Sequence, residues 1–322
     1  MDRNSVDWKG YWVAAPTPFT ASGLLDEESW RRVLRLYLSQ GVHGVLVNGT
    51  TGGWFSQTEA ERRRVAEIAV EELRGRTPAV IGCTTFTPAA TIALARHAKE
   101  IGADGVLSTA PPYAAPTPRE IVAFFAVISD QVALPIMVYN WPRGVSVEIT
   151  APTALELARI EHVVALKDST ANQAQALATL QALATLEKVR DRLRVFGSFI
   201  SRVGLGVLRG LGGDGNIDGG GLGGGFAVAF YEAVWRGDFG TAEAAADRYV
   251  ALMSQLIRPD WSGTLASPQA QIKAAMNLLG QPGGHVRPPL LPLDDARDLD
   301  RLRGILASAG LLASDARRGR AA

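Results

Sequence analysis

Apolar and polar positions along this chain alternate between two spacings. Short, nearly continuous apolar runs occur at 12–18 (WVAAPTP), 44–49 (GVLVNG), 78–83 (PAVIGC), 105–110 (GVLSTA), 135–140 (PIMVYN), 163–168 (VVALKD), 193–198 (LRVFGS) and 215–220 (GNIDGG). Runs of this length, punctuated by Gly and Pro, predict buried strands. After each comes a stretch spaced like a one-sided helix, at 26–40, 58–74, 87–101, 117–128, 150–160, 170–189, 198–211 and 224–236. Strands alternating with helices imply a parallel sheet. Eight such units imply closure into a (β/α)8 barrel, with an open doubly wound sheet as the alternative. A loose repeat agrees: 41–49, 102–110 and 212–220 each place glycine at a helix end and again at strand entry, and glycine is a common helix C-cap.

Beyond residue 237 the alternation stops. Three helical stretches, 238–257, 267–280 and 293–312, are joined by the Pro- and Gly-containing linkers 258–265 and 281–293. The expected organisation is a barrel over 1–236 and a C-terminal helical region over 237–322.

Composition narrows the function. With 47% hydrophobic and 20% charged residues among 322, the chain suits a soluble globular protein. A net charge of +1 gives no reason to expect nucleic acid or an anionic membrane as partner. The basic tail ARRGRAA (316–322) reads as a frayed end. The single cysteine, Cys83, cannot form an internal disulfide, which fits a cytoplasmic protein. The first ten residues lack the apolar stretch of a signal peptide, and no segment reaches the ~20 apolar residues of a membrane span.

In a (β/α)8 barrel, chemistry sits at the C-terminal strand ends. These ends carry NGTTGG (48–53), APPY (110–113), VYNWP (138–142), LKDS (166–169), FGS (196–198) and NIDGGG (216–221). The four histidines (43, 97, 162 and 285) have no metal-ligand spacing, so no metal is expected. The glycines at 219–225 suit either a phosphate cradle or close packing. Lys167 is different in kind. The other lysines are Lys9, Lys99, Lys188 and Lys273; Lys99 has solvent-facing helical spacing, Lys188 follows a long helix, and Lys167 alone ends an apolar strand. Pairing with Asp168 is one reading. Strand neighbours, however, point to opposite faces. The other reading is an amine desolvated so that its pKa falls and it can attack a carbonyl as an imine-forming nucleophile. Tyr139, at the end of the fifth run, is either a core aromatic or a proton relay. Thr50 and Thr51 offer hydroxyls for a carboxylate or simple turn chemistry.

Taken together, APTPF (15–19), NGTTGG, VYNWP, VVALKDST (163–170) and GDGNIDGG (213–220) resemble, in order and spacing, the dihydrodipicolinate synthase / N-acetylneuraminate lyase family of pyruvate-type class I aldolases. The resemblance covers the barrel and, more weakly, the helical tail. It implies that Lys167 forms an imine with pyruvate or another 2-keto acid, and that Tyr139 relays protons. It implies that Thr50 and Thr51 hold the keto-acid carboxylate and tie Tyr139 into the relay, with Gly49 of the same loop grouped with them as a substrate-binding residue. Tyr113 matches a second tyrosine that some synthases lend across a dimer interface, and Ile217 a residue whose backbone carbonyl borders the site. The imine is itself an electron sink, so no cofactor is expected. Partners are then a 2-keto acid, an aldehyde acceptor and further copies of the chain, as a dimer or a dimer of dimers.

Three departures concern the acceptor. Gly53, followed by Trp54 and Phe55, stands where the family commonly has glutamate. Lysine-pathway synthases usually carry an arginine five residues after the relay tyrosine; here that residue is Gly144, and Arg143 comes one place early. Asp218 stands where a small residue is common. The expectation is a Schiff-base aldolase or hydro-lyase whose acceptor is not aspartate semialdehyde, with Arg143 and Asp218 at the acceptor side. Trp54, Phe55 and Trp141 near the mouth would either suit a bulky or apolar acceptor or simply pack the loops. The alternatives are 4-hydroxy-tetrahydrodipicolinate synthase, a non-catalytic keto-acid-binding barrel, and a phosphate-binding isomerase using the strand-eight glycines.

Overall fold

The computed structural model describes residues 1–186 and 191–312. Lys188, the last residues of the stretch at 170–189 and the tail at 316–322 lie outside the described residues. Eight parallel strands, β1 (Gly10–Ala14), β2 (Gly44–Val47), β3 (Ala79–Gly82), β4 (Gly105–Thr109), β5 (Ile136–Asn140), β6 (Val163–Asp168), β7 (Arg194–Phe196) and β8 (Gly215–Gly219), pair in chain order and close when β8 joins β1. This is the (β/α)8 barrel, and the open sheet is excluded. The crossover helices are α1 (Glu27–Ser39), α2 (Glu59–Leu73), α3 (Pro88–Glu100), α4 (Pro118–Val132), α5 (Pro142–Val145), α6 (Ala151–Leu157), α7 (Gln173–Thr185), α8 (Arg202–Gly210) and α9 (Gly224–Trp235). The single turn α5 has no counterpart in the apolar pattern, because four residues are too few to show a period. It begins at Pro142, whose fixed φ suits a first helical position.

Local chemistry explains where several helices begin. Asp26, Thr58, Thr87 and Asn172 each accept a hydrogen bond from a first-turn backbone N–H of the helix that follows. At Thr58, Glu61 reaches back to complete a capping box.

The barrel interior and its outer layer are separate cores. Trp8, Trp12, Leu46, Val80, Leu107, Met137, Tyr139, Ala165 and Phe196 fill the inside. A larger cluster lies between strands and helices and includes Tyr11, Val13, Tyr37, Phe125, Phe230 and Tyr231. The remaining helices, α10 (Phe239–Leu256), α11 (Pro268–Leu278) and α12 (Ala296–Ser308), add Tyr249, Leu252, Ile272, Met276, Leu302 and Leu306 to that outer cluster. They therefore share a core with the barrel. Lys273 of α11 fixes the connection. It donates to the Thr17 carbonyl (2.6 Å) and the His285 carbonyl, and the Phe19 ring packs against both it and Arg287. Among the described residues no helix is long and apolar enough to cross a membrane.

Candidate active site

Strand alternation sorts the site residues. Tyr139 of β5 and Lys167 of β6 are register partners facing the barrel interior, while Asn140 and Asp168, the next pair, face outward. Asp168 accepts from Asn140 Nδ2 (2.9 Å) and from the Thr170 N–H (3.1 Å). The Lys167–Asp168 pairing is thereby ruled out. Lys167 is 7% exposed. Its Nζ sits 3.9 Å from the centre of the Tyr139 ring and has no hydrogen-bond acceptor among the described residues. Burial pushes its pKa down from 10.5 to about 7, against a smaller upward pull from Asp218. An appreciable part of the amine is then neutral, and nucleophilic, near neutral pH.

The Tyr139 ring stacks on Trp141, with centroids 5.7 Å apart and planes 21° apart. Burial raises the Tyr139 pKa, which keeps the phenol protonated; the hydroxyls of Ser169 and Thr50 draw it back part of the way. A protonated phenol beside a neutral amine, with further hydroxyls around it, is equipped to deliver and retrieve a proton.

Thr50 and Thr51 reach the mouth because β2 ends at Val47 and the chain turns through Asn48, whose φ of 53° is left-handed. The same turn buries Gly49 against Leu46, so Gly49 does not line the cavity, contrary to the grouping made from sequence. For Trp54 and Phe55 the loop-packing reading holds and the acceptor reading does not. They form a helical turn outside the mouth, packed with Phe86 and beneath the Arg62 guanidinium, 5.2 Å from the Trp54 ring. Of the three aromatics expected at the mouth, only Trp141 lines the cavity. Tyr113 is 95% exposed on the loop after β4 and lies outside this chain's cavity.

Thr50, Thr51, Tyr139, Arg143, Lys167, Ile217 and Asp218 line one cavity of about 880 Å³ at the C-terminal strand ends. Arg143 is engaged at the rim. Its Nη1 donates to the Asp260 carboxylate (3.0 Å) and to the Asp260 carbonyl (2.9 Å). Ile217 points into the barrel, packed against the interior cluster. Asp218 is on the outer face of β8, in register with Val13, yet the cavity wraps over the strand end and reaches it. Its Oδ2 accepts a hydrogen bond from the Tyr249 hydroxyl of α10. Burial raises its pKa to about 6, with Tyr249 and Lys167 pulling the other way.

Packing and backbone conformation account for Gly220, Gly221 and Gly223 after β8. Gly220 and Gly221 have φ of 76° and 72°, a Cβ on Gly221 would come within 3.0 Å of Tyr37, and one on Gly223 within 2.9 Å of Tyr249. Among the described residues no group of His, Cys, Asp and Glu side chains could hold a metal ion.

Sequence reasoning missed the wall contributed by the C-terminal helices and their linker. Tyr249, Met253, Trp261, Gln269 and Ile272 all line the cavity, and Gln269 donates to the Thr50 carbonyl (3.1 Å). Their helical spacing was visible, but which face met the barrel was not.

A sequence model of the dihydrodipicolinate synthetase family matches residues 7–307. A DapA-like lyase from Rhizobium meliloti is 35% identical over 299 residues, 90% of this chain and 93% of the relative. The 4-hydroxy-tetrahydrodipicolinate synthase of Parvibaculum lavamentivorans is 32% identical over 95% of this chain and 99% of its own length. Among solved structures, dihydrodipicolinate synthase from Thermotoga maritima gives a TM-score of 0.84 at 27% identity, covering 95% of this chain and 99% of that one. A prophage protein of the dihydrodipicolinic acid synthase family from E. coli, solved in complex with pyruvate, gives 0.83 at 25% identity, covering 95% and 100%.

Proposed function

The chain belongs to the dihydrodipicolinate synthetase family of lyases and synthases, and from that premise we propose that Lys167 forms an imine with pyruvate or another 2-keto acid. The derived enamine then makes or breaks a carbon–carbon bond, or supports loss of water, and the acceptor is not aspartate semialdehyde. The observation that carries this reading is the Lys167 amine, buried, without a hydrogen-bond acceptor among the described residues, and facing a large cavity.

The chemistry follows from the residues. The neutral amine attacks the keto carbon, and the resulting hydroxyl leaves as water after taking a proton, a task suited to the Tyr139 phenol. The protonated imine draws electrons from C3, so a C3 proton or a C3–C4 bond can be lost to give the enamine. Addition to an aldehyde runs the same path in reverse. No metal or organic cofactor is needed. Thr50 and Thr51 supply hydroxyls for the keto-acid carboxylate. A lone buried Cys83 suits a cytoplasmic enzyme. Tyr113, exposed on its loop, is available to a second copy of the chain in a homo-oligomer.

The second reading, a lysine-pathway synthase, is favoured by the names of relatives. It requires a guanidinium free to bind the acceptor's carboxylate; of the two that line the cavity among the described residues, Arg143 is paired with Asp260 and Arg258 donates to the carbonyls of Gly263 and Thr264.

The test is borohydride reduction in the presence of pyruvate, which fixes an imine as a secondary amine. Peptide mapping is expected to place the added mass on Lys167, with none on Lys167→Arg, whose guanidinium stays protonated. Labelling of another lysine, or of none with any 2-keto acid, would refute the mechanism.

A further inference from the structure

The cavity does not stop at the barrel mouth. From Lys167 it runs across the end of β8 to α10, where Asp218, Tyr249, Val250, Met253 and Ile257 line it. Its 880 Å³ is in the range that holds a drug-sized ligand and far exceeds a three-carbon keto acid. The part beyond Lys167 is therefore room for the other half of the substrate.

Val250, Met253 and Ile257 make the wall of that part apolar, and the guanidinium of Arg258, which also lines it, is spent on the carbonyls of Gly263 and Thr264. Among the described residues Asp218 is the one acidic side chain lining the cavity. Tyr249 commits its single hydroxyl proton to Asp218 Oδ2, which fixes the carboxylate's orientation. Oδ1 has no donor among the described residues. Lys167 does not supply one, since its Nζ lies more than 4.0 Å from the Asp218 carboxylate oxygens. Oδ1 is not sealed from water, so an acceptor that displaces that water must replace its hydrogen bond or leave the oxygen unpaired at a cost. A substrate hydroxyl removes that cost; a substrate carboxylate adds repulsion.

Resting on the imine reading above, we propose that Asp218, held by Tyr249, selects the acceptor: its free oxygen accepts a hydrogen bond from a hydroxyl on an uncharged aldehyde. The substrates are then hydroxylated aldehydes or, in the cleavage direction, polyhydroxylated 2-keto acids. A site built to hydrogen-bond a hydroxyl discriminates strongly against the analogue lacking it, because the buried acceptor is left unpaired.

The experiment compares glyceraldehyde with propionaldehyde, matched in carbon number, as acceptors for pyruvate. The readout is the ratio of their kcat/KM values on one enzyme, in which effects on the shared imine step cancel. The wild type is expected to favour glyceraldehyde by at least about tenfold, and Asp218→Ala to bring the two within about threefold. An unchanged ratio in Asp218→Ala, or a wild-type preference for propionaldehyde, overturns the inference. If Asp218→Ala does not fold, Asp218→Asn is read instead: at most about a third of the wild-type preference supports the inference, and full preference overturns it. Borohydride trapping on the wild type separates the two levels. Labelled Lys167 with an unmoved ratio defeats the Asp218 assignment alone, whereas unlabelled Lys167 defeats the imine reading and this inference with it.

Discussion

Replacing Lys167 with methionine should make the protein more stable, by an amount that shrinks as pH rises. Burial lowers the amine's pKa from 10.5 to about 7. Below pH 7 the folded and unfolded chains both carry the charge, and only the folded chain holds it out of water. Between pH 7 and 10.5 the unfolded chain binds more protons, so wild-type stability rises with pH. Above 10.5 both forms are neutral and the penalty is gone. Three and a half factors of ten, at about 1.4 kcal/mol each, give a ceiling of about 5 kcal/mol at pH 6. Water entering the cavity beside the amine brings the expected gain nearer about 2–3 kcal/mol. Methionine fits, since it keeps an unbranched chain and adapts to irregular space. Urea unfolding of both proteins at pH 6, 8 and 10, at one protein concentration, measures the difference. Lys273 is also buried but is common to both proteins and cancels. A gain constant with pH, or a loss of stability at pH 6, would refute the account of Lys167 as a desolvated amine.

Two further outcomes follow from the site. Tyr139→Phe should lower kcat by ~10²–10⁴-fold while leaving the unfolding midpoint nearly unmoved, because the ring keeps its stack on Trp141; near-normal turnover would remove the phenol from the proton relay. Arg143→Ala should change kcat/KM for aspartate semialdehyde by less than about threefold, because its guanidinium is tied to Asp260. A loss of ~10–100-fold, the worth of a charged hydrogen-bonded pair, would mean that Arg143 leaves Asp260 for the acceptor and that the enzyme is a lysine-pathway synthase.

The barrel was legible because its signal is repeated. Eight apolar runs separated by helical periods leave few parallel topologies, and every run except VVALKD also ends near a Gly or Pro that marks the turn. What escaped was local. β1 begins at Gly10, ahead of the run that signalled it, and stops at Ala14, because Ala15 and Pro16 already belong to the loop. Trp54 and Phe55 looked like mouth residues because they follow NGTTGG. Gly53, at a φ of 70°, turns the chain so that both rings leave the site. A one-residue choice of backbone conformation decides this, and no period in the sequence records it. Asp218 is a related case: alternation from Ile217 puts it on the outer face of β8, and only the position of α10 makes that face part of the cavity.

Lys167 was found from sequence by an argument that was sound but insufficient. An apolar strand ending in lysine predicts a desolvated amine, and the amine is desolvated. Yet Lys273 is buried as well, and its pKa is also pushed down to about 7 by burial and by Arg287. Burial alone does not make a nucleophile. The Lys273 nitrogen is occupied, since it donates to the carbonyls of Thr17 and His285 and so ties the C-terminal region to the first strand's loop. The Lys167 nitrogen faces an aromatic ring and an open cavity, with its one acidic neighbour too far for an ion pair. Only there does the lone pair have somewhere to go besides a proton. The second condition depends on which strands stand beside β6 and what their inward residues offer. It comes from β5 presenting the ring of Tyr139 at the register of Lys167, and hence from barrel closure rather than from any property of the VVALKDST segment itself.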